Sequence, residues 1–176
     1  MGDKRIDYLR TRIRDVPDFP KEGVLFKDIT PLLADVEAFR TSIQLIVERL
    51  DEAPVDVVIG IEARGFMFGA ALADKLGVGF VPVRKPGKLP AATYRAEYEL
   101  EYGTDALEIH QDALNPGQRV LIVDDLIATG GTAKATADLV EQCGAEVAAL
   151  VFLVNLRFLQ GEQKLDGYRV ISLLDY

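Results

Sequence analysis

The sequence predicts an α/β fold with a mostly parallel central sheet flanked by helices. Three observations carry this expectation. Short, β-branched apolar runs recur along the chain, and stretches of helical periodicity separate them. The run RVLIVDD at 119–125 is almost continuously apolar instead of alternating, which is what a strand covered on both faces requires. The composition, 49% hydrophobic and 27% charged over 176 residues, is that of a globular chain long enough to bury a full core.

The elements follow in order. The first 35 residues contain no segment with a clear place in the sheet, and they predict a small separate element on one side of it. DVEAFRTSIQLIVERL (35–50) puts Phe39, Ile43, Ile46, Val47 and Leu50 at helical spacing behind Asp35, a side chain suited to cap the first turn. VDVVIGI (55–61) reads as a buried strand, and GFMFGAALADKLG (65–77) as a helix closed by Gly77. GFVPV (79–83) is the next strand. Arg84 to Gly103 breaks the pattern, mixing basic residues, two prolines, tyrosines and glutamates without clear periodicity. It predicts a long loop or a loose hairpin, and a loop of that length inside a compact domain is usually functional. RVLIVDD is followed by a helix at 131–144 and by strands at 146–154 and 168–174. No repeat, low-complexity tract or linker interrupts the chain, so 1–176 predicts one domain.

Charge and cysteine content narrow the function classes. A net charge of -8 argues against a broad basic face for nucleic acid. If the substrate is anionic, its positive partners must be concentrated at one site. Cys143 is the only cysteine, so no intrachain disulfide forms, which fits a reducing compartment. MGDKRIDYLRTRIRD is charged and lacks the apolar core of a secretory signal, and the apolar run Val147 to Val154 is too short to span a bilayer. The expectation is a cytoplasmic protein with no membrane and no nucleic-acid partner.

The stretch VLIVDDLIATGGTAKA (120–135) carries the chemistry. Ligands of open α/β sheets sit at the carboxyl ends of strands, where Asp124 and Asp125 fall. The turn from Ala128 to Thr132 leads into a helix whose first N–H groups are unpaired and whose dipole end is positive. Gly130 and Gly131 allow close backbone approach, and Thr129 and Thr132 add hydroxyl donors. This is a cradle for an anion, best suited to a phosphate. The two carboxylates cannot bind that phosphate. They suit vicinal sugar hydroxyls or Mg²⁺ beside it. A 5-phosphoribosyl group, with phosphate at one end and 2- and 3-hydroxyls at the other, fits the order of the motif. The P-loop and dinucleotide fingerprints are both missing from the sequence.

An apolar strand followed by D-D-x-x-A-T-G-G-T resembles the 5-phosphoribosyl 1-diphosphate (PRPP) signature of the type I phosphoribosyltransferases. The resemblance runs along nearly the whole chain and is to the bacterial adenine phosphoribosyltransferases. VPDFPKEGVLFKDITPLL (16–33), GIEARGFMFG (60–69), VPVRKPGKLP (81–90) and YELEYGTDALEIH (98–110) carry it beside the signature. It implies a type I phosphoribosyltransferase fold, with 1–35 as a base-binding element and 84–103 as a flexible catalytic loop. It also implies joining of adenine to PRPP to give AMP and diphosphate, with Mg²⁺, in a homodimer.

The resemblance assigns roles that make physical sense for chemistry at an anomeric carbon, which passes through an oxocarbenium-like state. The ribose-phosphate is held by Asp124, Asp125, Ala128, Thr129, Gly130, Gly131 and Thr132, with Asp124 and Asp125 also available to a substrate-borne Mg²⁺. Ala63 and Arg64 form the diphosphate loop, and Arg84, Lys85 and Lys88 reach the same group. Glu101, beside Tyr102 in the loop, is the catalytic carboxylate, acting either on the base proton or on the oxocarbenium charge. Arg64 counts with it as catalytic. Adenine lies on Val24, Leu25, Phe26 and Lys27. Phe26 stacks on the purine, and the Leu25 main chain accepts from the 6-amino group and donates to N1, a pattern a 6-oxopurine reverses. Lys27 stands where several relatives carry arginine. The alternatives are a phosphoribosyltransferase for hypoxanthine, guanine, xanthine or orotate, or a PRPP-sensing regulator of the same fold.

Overall fold

The structure is a computed structural model, and it describes residues 3–51, 53–99 and 103–176. Its centre is a sheet of five strands, β3 (Val57–Ile61), β4 (Gly79–Val83), β7 (Arg119–Ile127), β8 (Glu146–Asn155) and β9 (Val170–Asp175), in the order β4-β3-β7-β8-β9. Every pairing in it is parallel. The apolar runs of these strands serve both faces. Val58, Leu121, Val123, Val151 and Leu173 join one core. Val57, Ile59, Val120, Ile122, Leu150 and Phe152 join the other. Continuous hydrophobicity is therefore the sequence image of two covered faces.

Helices α3 (Val36–Leu50) and α4 (Gly65–Leu76) lie on the first face, and α5 (Gly131–Gln142) on the second. Asp35 caps α3, its carboxylate accepting from the Glu37 and Ala38 N–H groups at 3.0 and 3.1 Å. Gly77 ends α4 at φ 70°, a left-handed conformation that favours glycine. Helix α4 joins β3 to β4 toward one edge, and the chain later returns to place β7 on the other side of β3. The switch point of the sheet therefore lies between β3 and β7.

The N-terminal region is a small ribbon, β1 (Arg14–Pro17) against β2 (Leu25–Asp28), between α1 (Lys4–Arg10) and α2 (Thr30–Ala34). It stands outside the main sheet, yet Leu9, Ile29 and Leu32 enter the first core.

Of the two forms expected for 84–103, a loop or a hairpin, the described residues show the hairpin. Thr93–Glu99 is strand β5, paired antiparallel in register with β6 (Thr104–His110). The physical reason is a period of two: Tyr94, Ala96 and Tyr98 turn toward the second core, while Arg95, Glu97 and Glu99 face solvent. The high charge of the outer face hides that alternation. No helix among the described residues is long and apolar enough to cross a membrane.

Candidate active site

A cleft of about 300 Å³ opens at the carboxyl end of the sheet, at the switch point. Open α/β sheets place their ligands there because the loops leaving β3 and β7 diverge to opposite faces. The first of these loops supplies Glu62, Ala63 and Arg64 to the wall; the end of β7 supplies Asp124 through Ile127, and the turn and helix after it supply Ala128, Thr129, Gly130, Thr132 and Ala133. Lys85, Tyr98 and Phe152 complete it from β4's exit, the hairpin and β8.

Strand β7 continues past the two aspartates to Ile127, so both carboxylates project from strand backbone. Pleating sends them to opposite sides. Asp125 is 3% exposed and is paired with the Arg64 guanidinium. Asp124 accepts from the Asp125 N–H at 2.8 Å. Burial, and then the adjacent Asp125 charge, push the Asp124 carboxyl well above the usual carboxylate range. Arg64 also stands 5.6 Å from the centre of the Phe26 ring. One guanidinium thus ties the N-terminal ribbon to the strand that carries the carboxylates.

The turn after β7 has the features of an anion cradle. Gly130, the residue before α5, has φ 77°, and no side chain caps that helix. Thr129 is exposed, and Ala128, Thr129, Gly130 and Thr132 all line the cleft. Gly131 does not. It is buried, and a Cβ there would stand 3.3 Å from both the Glu99 carbonyl and the Tyr98 ring. Its lack of a side chain admits the hairpin, not a ligand. Gly65 is similarly enclosed: a Cβ would lie 2.6 Å from the Val123 carbonyl and 3.0 Å from Asp124 Oδ1. The close approach there is of α4 to β7. The peptide between Glu62 and Ala63 is cis.

The basic residues separate. Lys85 lines the cleft and donates to the Tyr98 hydroxyl at 2.9 Å and to Asp105. Burial alone would lower its pKa, but the bonds to Asp105 and Tyr98 outweigh it and raise the value. Arg84 turns to Glu62, with Nε 3.2 Å from Oε2. Burial would raise Glu62, and it is outweighed by the Lys85 N–H and by Arg84, which hold the carboxylate below its ordinary range. Lys88 is exposed and, like Arg84, lies outside the cleft wall.

The four residues predicted for the base lie beside the cleft and not in its wall. Phe26 reaches it through Arg64 and meets Phe19 edge to face at 5.1 Å. Leu25 is 49% exposed. Lys27 points away, its ammonium 2.6 Å from Asp15 and 4.1 Å from the centre of the Tyr176 ring. Glu101 and Tyr102 lie outside the described residues. Sequence reasoning missed Glu62, Tyr98 and Phe152. Glu62 and Tyr98 sit inside the matched motifs, whereas nothing in the apolar run of β8 singles out Phe152.

Comparison with known proteins identifies the family and the fold. The family model described as phosphoribosyl transferase domain matches residues 29–173. Adenine phosphoribosyltransferase of Clostridium perfringens is 60% identical over 168 residues, covering 96% of this chain and 98% of the relative. The crystal structure of adenine phosphoribosyltransferase from Thermoanaerobacter pseudethanolicus superposes with a TM-score of 0.95 at 58% identity, over 97% of this chain and 99% of that one. The enzyme of Saccharomyces cerevisiae, solved with an imino-altritol bisphosphate and adenine, superposes at 0.92 with 43% identity, over 97% and 98% of the two chains. With the signature at the switch point and these relatives spanning nearly its whole length, the chain belongs to the adenine phosphoribosyltransferase branch of the phosphoribosyltransferase family.

Proposed function

We propose that this chain joins adenine to PRPP, releasing AMP and diphosphate, as a purine salvage enzyme. The observation that carries the reading is the shared cleft, in which a phosphate-type turn, a carboxylate pair and two cations, Arg64 and Lys85, face one another. The turn at 128–132 takes the 5-phosphate through N–H groups and the Thr129 and Thr132 hydroxyls. Asp124 and Asp125 accept from the ribose hydroxyls. Ala63, Arg64 and Lys85 hold the diphosphate and its growing charge as the C1–O bond breaks. Arg84 orders this loop through Glu62, and Lys88 adds positive potential at its rim.

Val24, Leu25 and Phe26 take the base. Pro17 stands opposite Leu25 in the ribbon and has no N–H to give, so the Leu25 carbonyl has no donor from that partner and can meet the 6-amino group. Phe26 supplies a stacking face, and Lys27 secures the ribbon through Asp15. Glu101 acts on the N9 proton or opposes the oxocarbenium charge, with Tyr102 next to it in sequence.

The residues present fit Mg²⁺. No group of three or more potential ligating side chains exists among the described residues, which suits an ion carried on substrate oxygens with one or two carboxylates beside it. Asp124 and Asp125 would hold it, directly or through water, and it would neutralise diphosphate charge. The family resemblance supports a homodimer, and the single cysteine supports the cytoplasm. The test is AMP formation from adenine and PRPP, with and without Mg²⁺, against hypoxanthine and guanine. Activity with adenine alone is expected. Preference for a 6-oxopurine would move the chain to the alternative reading.

A further inference from the structure

We propose that Gly161, 29 residues beyond the signature's last residue, Thr132, is a positioning residue for the phosphate turn, and that Glu162 and Leu165 hold it there. This rests on the reading that the turn at 128–132 binds the 5-phosphate.

Two short 3₁₀ helices, Arg157–Leu159 and Gly161–Leu165, follow β8. They pass directly behind the turn. A Cβ on Gly130 would collide with the Gly161 carbonyl, with the carbonyl carbon at 3.0 Å and Cα at 3.2 Å. A Cβ on Gly161 would collide with the Ala128 carbonyl, standing 2.8 Å from the Gly130 nitrogen and 2.9 Å from the Ala128 carbonyl carbon. The two glycines therefore meet backbone to backbone. Gly130 also needs its left-handed φ of 77°. Gly161 is not among the positive-φ residues, so only the contact bars a side chain there.

The brace is anchored. The Leu156 N–H donates to the Ile127 carbonyl at 3.0 Å. Asn155, 1% exposed, donates through Nδ2 to Glu162 Oε1 at 2.7 Å. Leu165, 1% exposed, is sunk in the core beneath α5. Ile127, Ala128 and Gly130 all line the cleft, whereas Gly161 and Glu162 stand outside its wall. An added methyl at Gly161 must move backbone on one side or the other, because no side chain is present to rotate away. The Gly130 amide is on the side that faces ligand. Hydrogen bonds weaken steeply with misalignment, and a misplacement of about 1 Å costs on the order of a hundredfold in a site that works by positioning.

The experiment compares Gly161→Ala, Glu162→Ala and, for the phosphate reading itself, Thr132→Val. Calorimetry measures ribose 5-phosphate, which probes the turn, and pyrophosphate, which probes the far end of the cleft. Thermal unfolding monitors the fold. The expected result is ribose 5-phosphate binding weakened at least tenfold in Gly161→Ala and several-fold in Glu162→Ala. Pyrophosphate binding stays within twofold in both, and KM for PRPP rises more than kcat falls. If both variants keep ribose 5-phosphate within twofold while Thr132→Val loses it, the brace is wrong and the phosphate reading stands. If all three keep it, both ideas fail. Equal losses for the two ligands with a lowered melting temperature mean general loosening and overturn the brace. Should Gly161→Ala not fold, Glu162→Ala decides by the same measure.

Discussion

Asp125 is a nearly buried carboxylate with one strong partner, Arg64. Asp125→Asn preserves shape and removes charge. Loss of a charge-assisted bond or two predicts a fall in kcat/KM of roughly tenfold to a thousandfold, read from steady-state kinetics. Asp124 makes a separate prediction. Its folded carboxyl is raised by burial and by Asp125, so it takes up a proton at a higher pH than an ordinary carboxylate as the medium is acidified. Sugar hydroxyls donate more strongly to the ionised carboxylate than to the protonated one. The acid limb of the pH profile of kcat/KM therefore begins above the ordinary carboxylate range, and Asp124→Asn flattens it. Glu101→Gln is expected to keep PRPP binding and to slow single-turnover AMP formation by on the order of a hundredfold to ten-thousandfold, the scale of proton-transfer catalysis. Loss of binding with normal chemistry would make Glu101 a loop anchor instead. Asp124 and Asp125 stand out in the sequence because a carboxylate pair beside an anion-type turn conflicts with simple electrostatics and demands a second ligand group, whereas Glu101 is singled out only by the resemblance. Gly131 was legible only as a point of close approach. What approaches it, the hairpin, is set by tertiary packing that a glycine does not encode.

Among the elements, the parallel strands were readable from their unbroken apolar runs, and α3 from its periodicity and its Asp35 cap. The hairpin was readable only as an alternative to a loop, because the exposed face of β5 is charged, and the 3₁₀ segment Gly161–Leu165 has no periodic signature at all. Gly131→Val tests the contact between α5 and the hairpin. The nearest atoms, the Glu99 carbonyl and the Tyr98 ring, already stand 3.3 Å from a single Cβ. Overpacking of this kind costs about 1–3 kcal/mol. At about 2–4 °C per kcal/mol for a chain of this size, the melting temperature drops several degrees. Turnover falls with it, because Tyr98 carries Lys85. A second element-level device joins the starts of β3 and β7. The Asp56 carboxylate accepts from the Arg119 Nε at 2.8 Å, from Nη2 at 2.7 Å and from its backbone N–H at 2.8 Å. These bonds, the guanidinium first, lower Asp56 to about 2. A depressed carboxylate stabilises above its unfolded value, and that stability is lost as pH falls through the folded one. The urea midpoint of Asp56→Asn should therefore lie below that of the parent at pH 5–7, and the gap should close as pH falls toward 2. A gap that does not change with pH would remove the ion pair from the account.

At the level of the whole molecule, a net charge of -8 predicts no retention on heparin at low salt. The proposed dimer predicts a sedimentation mass twice the chain's 19.4 kDa. The fold class could be read because alternation of strand and helix constrains topology strongly. Strand order could not, since it depends on which distant edge each strand finds. That order has a consequence for synthesis on the ribosome. Val57–Ile61 is fully buried between β4, which follows it closely, and β7, whose pairing residues begin at Val120. While the chain from Arg84 to Gln118 is being made, one edge of this apolar strand has no native neighbour to receive. At about 5–20 residues per second, the interval lasts on the order of seconds. An unpaired edge of that composition is a template for strand addition by any other chain. The nascent protein is therefore most exposed to aggregation, and most in need of a holding chaperone, before β7 leaves the exit tunnel. The strand that completes the cleft is also the one that closes this edge.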